Sequence, residues 1–315
     1  MELQQIGNGT SYAKIILLGE HSVVYGKPAI ALPLKTITAN TVISSLPNQD
    51  ILLESNYFTG NLSSSPKQML GIKNLITYLV ENLNISSGIK IKLKSNLPAE
   101  RGMGSSAAIS ISIIRAFHNF VNKPLTKAKL LKLANIAEKI THKNPSGLDA
   151  ATSSSENPIW MIRDVETTDI PVNMYGYLLI SDSGLAGQTS EAIKIVQENL
   201  KNNPTQTNEL LNNLGNLTFT AKDQLATNNL VGLGKTFKKA HVNLKKLGVS
   251  ISKLDNLIAI AEENGSLGSK LTGGGRGGCF ISLVKTRDEA NELANILQAN
   301  GVTENWIEPL FKEEL

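Results

Sequence analysis

The sequence predicts an α+β fold in two domains. Three observations lead there. At about 100–200 residues per domain, a chain of 315 residues has room for two cores. Its first third alternates strand-like pieces with Gly-, Pro- and Asn-rich turns. Beyond about residue 172 the pattern changes to strand, helix, strand, strand, helix, strand, which is the ferredoxin-like order. The expected domains are therefore residues 1–171 and 172–315.

Strand-like runs of β-branched and apolar residues occur at Ala13–Gly19, Ala29–Ala31, Ile37–Ile43, Ile51–Glu54 and Ile89–Leu93. Leu70–Leu83 has apolar residues at helical spacing. Ser105–Phe120 reads as a buried helix, and Leu125–Ile140 as an amphipathic one with Pro124 near its start. In the second domain, Tyr175–Ser181 reads as a strand. A long helical stretch follows, broken near Pro204 and Gly248. Short strands at Gly268–Leu271 and Cys279–Val284, a helix over Asp288–Ala299 and a last strand at Asn305–Phe311 complete the order.

Composition narrows the function. With 41% hydrophobic and 18% charged residues the chain is an ordinary globular protein. A net charge of +4 suits a small anionic partner and falls far short of a dedicated nucleic-acid binder, while 5% aromatic residues leave few stacking platforms for single strands. The single Cys279 rules out an internal disulfide. Residues 1–5 lack a basic segment leading into an apolar one, and no apolar run is long enough to span a bilayer, so a cytoplasmic protein is expected.

Two glycine-rich segments mislead. Gly273-Gly274-Gly275-Arg276-Gly277-Gly278 satisfies a dinucleotide pattern but runs into a strand instead of a helix. Gly232-Leu233-Gly234-Lys235-Thr236 resembles a Walker loop but lies inside a helical stretch and has Asn229 at the required first glycine. The better phosphate loop is Pro98-Ala99-Glu100-Arg101-Gly102-Met103-Gly104-Ser105-Ser106-Ala107. It follows a strand and opens a helix, so its glycines allow close backbone approach and the helix start supplies N–H groups and a positive dipole end. The Ser106 hydroxyl suits Mg²⁺, which prefers oxygen.

Three further segments bear chemistry. Glu138 sits near the end of a helix, and the turn Asn144-Pro145-Ser146-Gly147 presents Asp149 at the start of the next element. Lys14 interrupts an apolar strand that leads to Glu20 and His21; an edge strand would be the plain explanation. Thr272-Gly273-Gly274 form a turn richer in glycine than a hairpin needs, which points to close approach by a ligand.

In order and spacing, these segments resemble the GHMP kinase superfamily over roughly residues 10 to 285. Gly19–Gly26 is similar to its first motif, Gly102–Ala108 to the second and Lys270–Cys279 to the third. The resemblance implies a two-domain fold with a ribosomal-protein-like N-terminal domain, a ferredoxin-like C-terminal domain and the active site in the cleft between them. It also implies Mg²⁺-dependent transfer of the ATP γ-phosphoryl group to the primary hydroxyl of mevalonate, by a homodimer with no nucleic-acid or membrane partner. By position, Asp149 would accept the hydroxyl proton, with Lys14 beside it offsetting developing charge. Pro98, Gly102 to Ala107, Thr272, Gly273 and Gly274 would hold ATP and its phosphates. Ser106 and Glu138, the latter eleven residues before Asp149, would hold the metal. Glu20, His21, Ser146 and Thr189 would shape the substrate pocket. Departures are Met103 at a position usually Leu, Glu100-Arg101 in place of small residues, and Arg276 in place of Gly.

The alternatives are a kinase acting on phosphomevalonate or the related diphosphate decarboxylase, a catalytically dead regulatory relative and a basic RNA-binding protein. His21 with the Asn144–Asp149 segment argues against the first, and intact Lys14, Glu138 and Asp149 against the second. The shortage of aromatic residues argues against the third.

Overall fold

The computed structural model describes residues 5–98, 101–141, 147–172 and 174–311. The chain forms two compact units, each assembled from three segments. One comprises Met1–Lys14, Ile37–Leu97 and Gly104–Ser155; the other comprises Ile15–Thr36, Pro98–Met103 and Glu156–Leu315. This packing division differs from a single cut at residue 172, because two long strands and the candidate phosphate loop each pass from one unit to the other along the chain.

The first unit contains parts of β1 (Ile6–Leu18) and β2 (Pro28–Leu46), then β3 (Ile51–Ser55), β4 (Thr59–Asn61), α1 (Leu70–Leu83), β5 (Gly88–Ser95), α2 (Ser105–Phe120), α3 (Lys127–Thr141) and α4 (Leu148–Ser153). β5 lies between β2, to which it is antiparallel over Ala39–Leu46, and β3, to which it is parallel; β4 closes the edge. Leu75, Leu79, Ile91, Ile111, Phe117, Leu133 and Ala137 make one apolar core of α1, α2, α3 and this sheet, each at most 5% exposed. Removing such side chains from water is the main favourable contribution to the unit's folding.

β1 begins seven residues earlier than its apolar run suggests. Gly7 and Gly9 belong to the strand, and the reason is contact with α2: a Cβ on Gly9 would stand 2.1 Å from the Ser112 carbonyl oxygen. Glycine here marks close packing and not a turn. β2 is also one strand where the sequence suggests two. Pro33 falls between the stretch paired with β5 and an earlier stretch, Pro28–Ala31, that pairs elsewhere, so its missing N–H interrupts neither ladder.

The second unit takes the rest of β1 and β2, and that earlier stretch of β2 pairs with β6 (Ile159–Ile162), which pairs with β7 (Glu166–Asp169). Then follow β8 (Tyr177–Asp182), α5 (Thr189–Asn202), α6 (Pro204–Ala226), α7 (Leu230–Lys246), α8 (Ser252–Glu263), β9 (Gly268–Leu271), β10 (Cys279–Val284), α9 (Arg287–Ala299) and β11 (Glu304–Pro309). The sheet order β11-β8-β10-β9, with every pair antiparallel, is the ferredoxin-like arrangement, its first crossover enlarged to four helices. Helix α7 contains the Walker-like Gly232–Thr236, and strand β10 follows Gly278, so neither glycine decoy has the context its motif requires. Cys279 is fully buried. Among the described residues no helix is long and apolar enough to cross a membrane.

Candidate active site

In the first unit two candidate residues, Asp149 and Gly104, meet Lys14. This lysine is 3% exposed, in the middle of β1, and its Nζ lies 3.0 Å from Asp149 Oδ1. Among the described residues β1 pairs with β2 and no other strand, so it is an edge strand, yet the lysine turns inward to an ion pair and not outward to solvent. Its aliphatic stem lies along Gly104: a Cβ there would stand 2.9 Å from Lys14 Cγ. Gly104 precedes the first residue of α2 with φ 71°, so glycine meets two demands at once, left-handed backbone and no side chain in the lysine's path. Ser105, Ser106 and Ala107 form the first turn of α2, which contains no acidic residue. The start of this long helix is thus a positive dipole end beside a buried cation.

Asp149 lies in the first turn of α4, entered through Gly147 at φ 78°. Its side chain is 36% exposed, so one face of the carboxylate meets solvent while Lys14 holds the other. Glu138 is on α3 and 6% exposed, next to Ala137 of the apolar core. Helices α2, α3 and α4 pack against one another, which brings the chain segments bearing Ser106, Glu138 and Asp149 to one helical layer. Ser146 lies outside the described residues.

In the second unit the other candidates cluster around the third motif. The Gly102 backbone, at φ 79°, runs against Gly273: a Cβ on Gly273 would stand 3.4 Å from Gly102 Cα. Thr272 Oγ1 donates to the Ile16 carbonyl at 2.8 Å and accepts from the Ile16 N–H at 3.1 Å, tying this motif to β1. Gly274 backs onto Thr189, the first residue of α5, with 2.1 Å between a built Cβ and Thr189 Oγ1. Its carbonyl accepts a hydrogen bond from His21 Nε2 at 2.9 Å. Met103 is 1% exposed, and Pro98 is half-buried.

His21 is strained. Its backbone has φ 60° and ψ −39°, and the Ser22 N–H donates to the Glu20 carbonyl at 2.6 Å, closing a tight γ-turn. A non-glycine residue held this way costs of order 1–3 kcal/mol and persists only where its surroundings fix it. Burial pushes the imidazole pKa down to about 4 against the opposing Gly274 carbonyl, so the ring is neutral with its proton on Nε2.

Glu20 does not face a pocket. It is fully buried, and its carboxylate forms an ion pair with Lys270, also fully buried, whose Nζ also donates to the Leu271 carbonyl at 2.7 Å. Burial lowers the Lys270 pKa and the Glu20 carboxylate opposes that shift. Arg276 neither points freely to solvent nor stands alone: at φ 55°, it pairs with Glu191 of α5 at 2.9 Å. Two ion pairs here escape sequence reasoning: Lys270 with Glu20, and Arg101 with Asp182 at 2.6 Å. Lys270 had a signal, a lone cation in a buried strand like Lys14. Asp182 had none, since its partner is 81 residues away. His118 and His241 are buried packing residues, the latter bonded to Asp255 at 3.1 Å.

The chain also resembles known proteins in sequence and in fold. Residues 71–156 match the family described as GHMP kinases N terminal domain, and residues 221–303 match GHMP kinases C terminal. A mevalonate kinase of Pyrococcus abyssi is 27% identical over 318 aligned residues, covering 92% of each chain. The crystal structure of a mevalonate kinase from methicillin-resistant Staphylococcus aureus is 32% identical with a TM-score of 0.76, covering 97% of this chain and 99% of that one. That of the Methanococcus jannaschii mevalonate kinase is 28% identical with a TM-score of 0.81, covering 98% and 99%.

Proposed function

The chain belongs to the GHMP kinase family, and from that premise we propose that it transfers the γ-phosphoryl group of ATP to the primary hydroxyl of mevalonate, giving 5-phosphomevalonate and ADP. The observation that supports this reading is the ion pair of buried Lys14 with half-exposed Asp149, set against Gly104 at the start of α2. It is an acid–base pair beside a phosphate-binding helix start, in a chain whose relatives act on mevalonate.

Phosphoryl transfer asks mainly for positioning and for stabilisation of charge on the transferred group. Asp149 accepts the proton of the attacking hydroxyl as the O–P bond forms, and the γ-phosphoryl group leaves ADP. Lys14, fixed by its stem on Gly104, supplies positive charge where negative charge gathers. Gly102 to Ala107 are assigned to the phosphates through their backbone N–H groups, and Thr272, Gly273 and Gly274, against which Gly102 packs, are assigned to ATP as well. His21 and Thr189, which both meet Gly274 in the second unit, are assigned to substrate binding. Glu20 acts from beneath: its pair with Lys270 holds the strained turn that presents His21.

Mg²⁺ fits the donors present. Ser106 and Glu138 offer only oxygen, and among the described residues no three His, Cys, Asp or Glu side chains gather into an all-protein cage. A site of this kind suits an ion that keeps water and phosphate oxygens in its shell. When bound, Mg²⁺ neutralises charge on the β- and γ-phosphates. We also expect a cytoplasmic homodimer, which light scattering on the purified chain would report. An ADP-release assay tests the reaction: turnover with mevalonate and none with phosphomevalonate is expected, and the reverse result would overturn the assignment.

A further inference from the structure

We propose that Arg101 is a positioning residue for the nucleotide: through Asp182 it holds the phosphate loop in the shape that receives the triphosphate. This rests on the kinase reading above and adds a residue pair that the motif does not contain.

The anchor is rigid. Asp182 is the last residue of β8, in register with Cys279 of β10 on one side and Glu304 of β11 on the other. Its side chain is 5% exposed, and both oxygens are engaged: Oδ2 accepts from Arg101 Nε at 2.6 Å and Oδ1 from the Gly184 N–H at 2.9 Å. A carboxylate held by a central sheet strand and a neighbouring turn cannot follow a moving loop, so the loop must stay with it.

What the anchor holds is a short arch of backbone. Arg101 forms one foot, with its carbonyl oxygen 3.0 Å from where a Cβ on Gly278 would stand. Met103 forms the other foot, 1% exposed. Between them Gly102, in left-handed conformation, lies over Gly273. Glycine-rich backbone has wide conformational freedom, and a cradle for phosphates needs that freedom removed before the ligand arrives. The small residues usual in this motif provide no side-chain pin. Here the guanidinium, itself 24% exposed, supplies one.

The test is the ATP dissociation constant, measured by titration calorimetry without a second substrate, for the wild type, Arg101→Gln, Asp182→Asn and the double variant. Each single change is expected to weaken ATP about tenfold, and the double change no more than either, because the two side chains act as one unit. Arg101→Lys, which keeps the charge, is expected to restore most of the affinity, with thermal melts confirming a folded protein. In turnover, KM for ATP should rise while kcat stays within about twofold of wild type. If Asp182→Asn binds ATP normally while Arg101→Gln does not, the arginine touches the nucleotide directly and the positioning role is wrong. Lower melting temperatures with unchanged ATP affinity would reduce the pair to fold stability. Because ATP binding is read alone, failure to turn over mevalonate would sink the substrate assignment and leave this result standing.

Discussion

At the smallest scale, the proposed chemistry rests on the ion pair of Lys14 with Asp149. A lysine 3% exposed is tolerable only with a partner, and Asp149 at 3.0 Å is that partner. Asp149→Asn leaves the shape and removes the base, so kcat should fall by ~10²–10⁴. ATP affinity, measured by calorimetry, should stay close to wild type; near-normal turnover would exclude Asp149 as the base. Glu138→Gln should raise the Mg²⁺ concentration needed for half-maximal rate, and an unchanged Mg²⁺ titration would remove Glu138 from metal binding. Lys14, Glu138 and Asp149 could be singled out as candidates from the sequence because each stands in a local motif with fixed spacing. The Glu20–Lys270 pair was not, since its members are 250 residues apart and no local pattern links them.

Elements place these residues, and the contact of β1 with α2 does most of that placing. Ser11 Oγ donates to the Ala108 carbonyl at 2.5 Å, and Gly7 and Gly9 let the strand backbone run against the helix at Ala116 and Ser112. The same strand bears Lys14 and the same helix begins beside Gly104, so their spacing depends on this close approach. Gly9→Ala should force the two apart and cost about 1–3 kcal/mol, the usual range for overpacking. A circular-dichroism melt should show a lower midpoint, and an unchanged midpoint would mean that β1 shifts without strain. Helices α1, α2 and α9 and strands β9 and β10 were legible within a residue or so from periodicity alone. The extent of β1 was not, because Gly-Asn-Gly has the local signature of a turn and only the neighbouring helix makes it a strand. Strands β6 and β7 also escaped, being four residues each with β7 fully exposed.

For the whole molecule, stability should depend on acid through its histidines. Burial lowers the pKa of His21, His118 and His241 below their ordinary value, His21 to about 4. Between about pH 6.5 and 4 the unfolded chain therefore binds more protons than the native one, and stability falls as pH falls through that window. Buried Glu308, whose pKa is raised, opposes the trend near its lower end. Melting midpoints should decline from pH 7 to pH 5, and His21→Asn should flatten part of that decline; a midpoint independent of pH would contradict the assigned burial effects. The sequence by itself determined the fold class, the ferredoxin-like order of the second half and the motifs on which the proposed reaction rests, because hydrophobic period and motif spacing are local properties of the chain. Tertiary structure alone decided that Glu20 turns inward to Lys270, that Arg101 is held by Asp182 and that Arg276 closes on Glu191. Charged side chains find partners by proximity in space, and the cost of burying an unpaired charge selects those partners without regard to their distance along the chain.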